Sequence, residues 1–214
     1  MITIHGIFGS PFVRAIRIAL DETGLPWAWA PFPLGGQRQE PYLSLHPFGK
    51  IPAIVDDGFE LYESQAILRY IARKAAAPAL TPDDPRRLAR MDQILAIVDC
   101  YLWPLACRPV NFNRLIAPRI GVTVDEQAVL DGVPHAEVAL RALAALQGDA
   151  MFLTGDTLSL ADIAALPHVD ALSRTPEGAP LVAGHPGLTA WLERMRARGS
   201  VRNSMLPPEK VLDP

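Results

Sequence analysis

Cysteine is scarce in this chain of 214 residues, which has two, Cys100 and Cys107. Their number and spacing exclude a disulfide framework, a zinc ribbon and a CxxC redox pair. The histidines (His5, His46, His135, His168 and His185) show no metal-ligand spacing, so no metal is expected. An excess of one charge is also missing. The 20 Lys+Arg nearly balance the 23 Asp+Glu, for a formal net charge of −3, which argues against a nucleic-acid partner. No apolar run is long enough to span a bilayer, so no membrane association is expected. The opening MITIHGIFGS has no basic stretch leading into a long apolar core, as a secretory signal requires. A soluble, cytoplasmic protein is the expectation. What the chain does have is 50% hydrophobic residues against 20% charged, enough to bury a sizeable core and to exclude global disorder.

Periodicity divides the chain in two. Ile2 to His5 alternates as a strand does. Ser10 suits a helix N-cap, Pro11 the first helical position, and Phe12, Ala15, Ile16 and Ala19 follow helical spacing up to Gly24. Trp27 to Phe32 fits a second strand, and Gln37 to Leu45 a short helix after the Gly35-Gly36 turn. Ile51 to Val55 resumes extended structure. Asp57-Gly58 is a hairpin signal ahead of Phe59 to Tyr62, and Ser64 to Arg73 is helical. This order, βαβ then ββα, predicts a compact α/β domain over 1–77. Pro78, Pro82 and Pro85 mark a linker over 78–85. The remainder, 86–214, reads as an all-α domain with helices near 86–116, 125–147, 160–173 and 187–198, and an irregular tail from Leu206 to Pro214.

Three short stretches of the first domain carry chemistry. Gly49-Lys50-Ile51-Pro52 leads into a strand, where proline cannot donate to the ladder. With a cis bond before Pro52, the main-chain N–H and C=O of Ile51 would form a free edge for an extended peptide. On the tetrapeptide alone, a trans proline at a strand start is the plainer reading. Glu63-Ser64 stands at a helix start, where Ser64 as cap favours an anion and Glu63 a cation. A zwitterionic α-amino acid head group suits both, and so does a plain N-cap beside an exposed acid. Ser10 could merely cap, yet its hydroxyl can accept from the helix and still donate to a thiolate.

The runs His46-Pro47-Phe48-Gly49-Lys50-Ile51-Pro52 and Glu63-Ser64-Gln65-Ala66-Ile67-Leu68-Arg69-Tyr70-Ile71 closely resemble the glutathione site of cytosolic glutathione transferases. Ser10-Pro11-Phe12-Val13-Arg14 is similar to the serine-type members, the phi and tau classes. Ser159-Leu160-Ala161-Asp162 resembles the family's N-capping box, with Leu158 and Ile163 as its hydrophobic staple. The resemblance implies a thioredoxin-like α/β domain followed by an all-α domain. It also implies an enzyme that conjugates the glutathione thiolate to small hydrophobic electrophiles, with glutathione as co-substrate and no other cofactor.

Carried over residue by residue, the resemblance has Ser10 donate to the sulfur and Ile51, before Pro52, clamp the cysteinyl backbone. Lys50 would meet the glycine carboxylate, and Glu63 and Ser64 the γ-glutamyl amine and carboxylate. Gln37 stands where phi-class enzymes commonly carry a His for the glycine end, with Arg38 as a cation close by. The electrophile would be lined by Ile7 and Phe8 from the first loop and by Tyr101, Trp103, Cys107 and Phe112 from the first long helix. Pro104 and Pro109 should kink or break that helix. Phe48 sits in the loop whose aromatic inserts into a partner subunit in several classes, which implies a homodimer. Two other readings remain: a non-catalytic binding or assembly module, and a glutathione-dependent peroxidase, isomerase or dehalogenase on the same scaffold.

Overall fold

Buried and half-buried residues alternate along Ile2–Gly6, the first strand β1, as expected for a strand with one covered face. A turn delivers the chain to helix α1 (Pro11–Thr23), which Ser10 caps through its side chain. The computed structural model describes residues 1–31, 35–76 and 80–205. The expected strand end at Phe32 and the tail from Leu206 lie outside the described residues. Strand β2 (Trp27–Pro31) pairs in parallel with β1. The expected helix over 37–45 is split into a 3-10 turn, Gly36–Arg38, and a single turn α2, Tyr42–Leu45. Pro41, which has no N–H to donate, stands between them. Strands β3 (Ala53–Asp56) and β4 (Phe59–Tyr62) form an antiparallel hairpin, and helix α3 (Ser64–Lys74) follows. The sheet order is β2-β1-β3-β4, with β3 antiparallel to β1. Ile2, Ile4, Ile54, Ile16, Ile67 and Ile71 are all buried in the core of this unit.

The chain groups into two units, Met1–Pro78 with Ala197–Pro214 and, separately, Ala79–Arg196. The second domain therefore stops short of the expected 86–214, because the last helix joins the first unit. Helix α10 (Gly199–Ser204) packs on α1. Arg198 binds both carboxylate oxygens of Glu22 at 2.7 Å, and Ser200 donates to the same group. A bidentate guanidinium–carboxylate pair fixes geometry as well as adding energy. Within the expected linker over 78–85, residues 78 and 79 lie outside the described residues, and Pro85 already opens a helix.

The second unit is built of helices joined by turns, with an isolated bridge between Phe152 and Gly155. Helix α4 (Pro85–Ile97) is capped by Asp84. It continues into a π-helical stretch Val98–Cys107, one turn α5 (Arg108–Asn111), a second π-helical stretch Phe112–Ile116 and a 3-10 turn Ala117–Ile120. Pro104 thus sits inside a helix whose bonding has changed register rather than at a break. Wider i→i+5 pairing tolerates an interruption that the α ladder does not. Helix α6 (Glu126–Gln147) is capped by Asp125. Helix α7 (Leu160–Leu172) is buried at every residue but Ala171, and α8 (Gly178–Ala183) and α9 (Pro186–Arg196) complete the unit. The helices α8 and α10, six residues each, carry too few apolar repeats to be read from period.

Candidate active site

Register brings the three chemical stretches of the first unit to one end of its sheet. His5 lies opposite Ala53, and Ala53 lies opposite Tyr62. Beyond that row β1 runs out into the turn that ends at Ser10. Ile51 and Pro52 lead in just ahead of Ala53, and Glu63 and Ser64 follow Tyr62. The helices α1 and α3 therefore both begin at this end, on strands about 10 Å apart across the sheet. Gly6, the last residue of β1, is a packing requirement, since a Cβ there would lie 2.6 Å from Val13 Cγ2 of α1.

Ser10 Oγ accepts from the Val13 amide at 3.4 Å. That bond is long and uses one lone pair, so the hydroxyl hydrogen remains free to point outward. The Ile51–Pro52 bond is cis, and both residues precede the paired part of β3. Tyr42, which the sequence did not single out, donates its hydroxyl to the Lys50 carbonyl at 2.6 Å. It thereby ties α2 to the Lys50–Ile51 arm. Gly49 has φ +57, and a Cβ there would sit 3.0 Å from the Gln37 carbonyl oxygen and 3.6 Å from Arg38 Cγ. That contact brings Gln37 and Arg38 beside the same arm. The Gln37 Oε1 and Gln65 Oε1 atoms are both buried without a hydrogen-bond partner.

Ser64 departs from expectation in detail. Helix α3 starts at Ser64, and Glu63 occupies the cap position with φ 71 and ψ 113. The Glu63 carbonyl accepts from Ile67 N at 3.0 Å. The first-turn N–H groups of α3 have no intrahelical acceptor, and the Glu63 side chain does not cap them. A side-chain-bearing residue at positive φ costs about 1–3 kcal/mol and persists where the surrounding structure imposes it. His46, given no role from sequence, is buried and packs its ring 4.7 Å from that of Tyr62. Burial lowers its pKa, which keeps it neutral near pH 7.

The residues expected to line an electrophile pocket are sorted differently. Ile7 and Phe8 do lie in the turn beside Ser10, but the Phe8 ring is stacked on Trp29, 4.1 Å away and inclined by 17°. In the second unit, Tyr101 is 58% exposed and lines a shallow apolar groove of about 250 Å³ with Ile97, Leu105, Val138 and Ala142. Trp103 turns instead to His168 of α7, ring to ring at 5.4 Å. Cys107 is fully buried, with its thiol 3.7 Å from the His168 carbonyl. Burial raises its pKa, so it is core thiol rather than pocket wall. Phe112 is 40% exposed. The i→i+5 pairing over Val98–Cys107 changes which side chains share a face, and a reading at period 3.6 cannot see that.

Among the described residues no group of three or more His, Cys, Asp or Glu is placed to hold a metal ion. Among the same residues no helix is long and apolar enough to cross a membrane. A four-stranded mixed sheet, two helix N-termini at one of its ends and a separate helical unit define a thioredoxin-like protein with an all-α partner domain. The family models for the glutathione S-transferase N-terminal and C-terminal domains match residues 4–79 and 91–199. Glutathione S-transferase 3 of Zea mays is 33% identical, over 96% of this chain and 95% of its own. The crystal structure of glutathione transferase F7 from Populus trichocarpa superposes with a TM-score of 0.87, at 27% identity and 99% coverage of both chains. Glutathione S-transferase I from maize, solved in complex with an atrazine glutathione conjugate, gives 0.84 at 26% identity, covering 98% of this chain and 97% of its own. The chain belongs to the glutathione S-transferase family.

Proposed function

We propose that the enzyme holds glutathione at the end of the sheet from which β1, β3 and β4 open, and joins its thiolate to a small hydrophobic electrophile. In this reading Ser10 donates to the sulfur and the Ile51 main chain meets the cysteinyl unit. Glu63, Ser64 and the first-turn amides of α3 take the γ-glutamyl head, with Lys50, Gln37 and Arg38 at the glycine end. The observation that carries it is the register row His5–Ala53–Tyr62. Maize glutathione S-transferase I, crystallised with a glutathione conjugate, supports conjugation over a module without turnover.

The energetics are sufficient. Lowering a thiol from pKa ~8.5 to about 6.5 needs about 2.7 kcal/mol of preference for the thiolate. A hydrogen bond to a charged acceptor supplies about 1.5–3 kcal/mol, and a helix N-terminus about 0.3–1 kcal/mol more. No general base is required. Ser10→Ala is expected to lower conjugation of 1-chloro-2,4-dinitrobenzene about 10²-fold while glutathione affinity stays within a few-fold. Unchanged turnover would remove Ser10 from the mechanism.

The same reading includes a cytoplasmic, detoxifying homodimer. Phe48 is 68% exposed on the first unit, and an exposed aromatic of that size suits an interface. The apolar groove at Tyr101 and Val138 is of a size to receive it from a second copy. Both cysteines are free thiols, as a reducing compartment favours.

A further inference from the structure

Arg17 is the one arginine among the described residues that is buried, at 8% exposure. It lies on α1, two turns beyond Ser10, and no local pattern marks it for the interior. Its guanidinium donates to the carbonyls of Ser204 at 3.2 Å and Asn203 at 3.0 Å, at the end of α10. Its Cζ lies 4.9 Å from the Phe8 ring centroid and 5.8 Å from that of Trp27. Burial lowers the pKa of the guanidinium, with Asp21 opposing and Arg14 adding to that shift, and an arginine remains charged regardless. A buried cation held by two carbonyls and an aromatic ring is too costly to be incidental packing.

What the guanidinium touches is the turn that carries Ser10. The Ser10 amide donates to the Ile7 carbonyl at 3.1 Å, closing the turn Ile7–Ser10 with Phe8 at its corner. The Phe8 ring is packed by Trp29 on the edge strand and by Arg17 from α1. Among the described residues, only the 3.4 Å bond to Val13 orients the Ser10 hydroxyl. The neighbouring Arg14 donates through Nε to Ser204 Oγ at 3.0 Å, so α10 grips α1 at two levels. We propose that Arg17 is a positioning residue for thiol activation: anchored on the α10 carbonyls, it holds Phe8 and so sets where the Ser10 hydroxyl meets the sulfur. This rests on Ser10 being the group that stabilises the thiolate.

The test is read without electrophile, from the ultraviolet absorbance of bound glutathione thiolate against pH, alongside kcat/KM with 1-chloro-2,4-dinitrobenzene. Arg17→Met is expected to raise the apparent pKa of the bound thiol by about one unit and lower kcat/KM at pH 6.5 about tenfold. Glutathione affinity should stay within about threefold. Arg17→Lys should behave like Arg17→Met, because a compact ammonium lacks the rigid fork that reaches both carbonyls while the same group lies over the Phe8 ring. Phe8→Leu should raise the thiol pKa too, and the double variant should do no worse than the more affected single one. Should Arg17→Met not fold, Arg17→Lys and Phe8→Leu carry the test. Thiol titrations that superpose on the parent, full recovery by lysine, or additive effects overturn the proposal. Ser10→Ala in the same assay separates the two claims. If it leaves the thiol pKa unchanged, the activation mechanism itself fails; if only the Arg17 variants do so, this inference alone fails.

Discussion

His168 lies inside the second unit with its ring 5.4 Å from that of Trp103, and burial brings its pKa down to about 3. Its carbonyl accepts from the Cys107 thiol and, at 3.5 Å, from Asn111 Nδ2. The unfolded chain protonates this imidazole near pH 6.5 and the folded chain only near 3, so between those values the unfolded state binds the extra proton. The contribution of His168 to stability is therefore whole above about pH 6.5 and is lost as pH falls, by about 1.4 kcal/mol per unit. Chemical denaturation is expected to show about 2 kcal/mol less stability at pH 5 than at pH 7 from this group. In His168→Leu that difference should vanish, and an equal pH dependence in both proteins would mean that the ring is solvated. Chemistry at the residue scale is thus decided by burial. Cys107 and His168 look reactive in a list of residue types and are inert in place, whereas half-buried Ser10 keeps a free hydroxyl hydrogen.

Among the elements, α7 shows how a local motif becomes a tertiary one. Ser159 and Asp162 form the capping box expected from their spacing, with the Ser159 amide donating to Asp162 Oδ2 at 2.9 Å and its hydroxyl at 2.8 Å. The structure adds two donors from elsewhere to Oδ1, the Leu153 amide at 2.8 Å and Trp191 Nε1 of α9 at 2.9 Å. Asp162 is fully buried, so truncation leaves several donors without an acceptor. Asp162→Ala is expected to cost about 3–5 kcal/mol, well beyond the ~1 kcal/mol of an isolated cap. A fall in thermal midpoint no larger than that of Asp84→Ala, which removes the cap of α4 alone, would show that the extra donors contribute little. The long α4 segment makes the complementary point. Its apolar residues were legible, but not the change to π pairing that turns Tyr101 to the groove and Trp103 to α7.

At the scale of the molecule, the proposed homodimer with Phe48 at its interface predicts that Phe48→Ala weakens self-association. Withdrawing a phenyl side chain of this size from an apolar site costs about 2 kcal/mol, and a two-fold dimer loses two of them, which is about 10³-fold in the dimer constant. Sedimentation of parent and variant over a dilution series checks this, and an unaltered monomer–dimer balance would place the interface elsewhere.

Sequence alone determined the elements with strong local chemistry. Ser10-Pro11 opened a helix, Asp57-Gly58 turned a hairpin, and the spacing of Ser159 and Asp162 built a box, because caps, turns and periodicity are short-range effects. It also held the residues proposed here to bind glutathione, whose order along the chain carries the family pattern. Tertiary structure alone decided the rest. Strand register set Ser10, Ile51 and Ser64 at one end of one sheet. Tyr42 reached Lys50, and α10 returned across more than 170 residues to meet Glu22 and Arg17. These contacts join groups far apart in the chain, so no local preference encodes them. They form only when the core closes and leaves the buried charges and carbonyls no other partner.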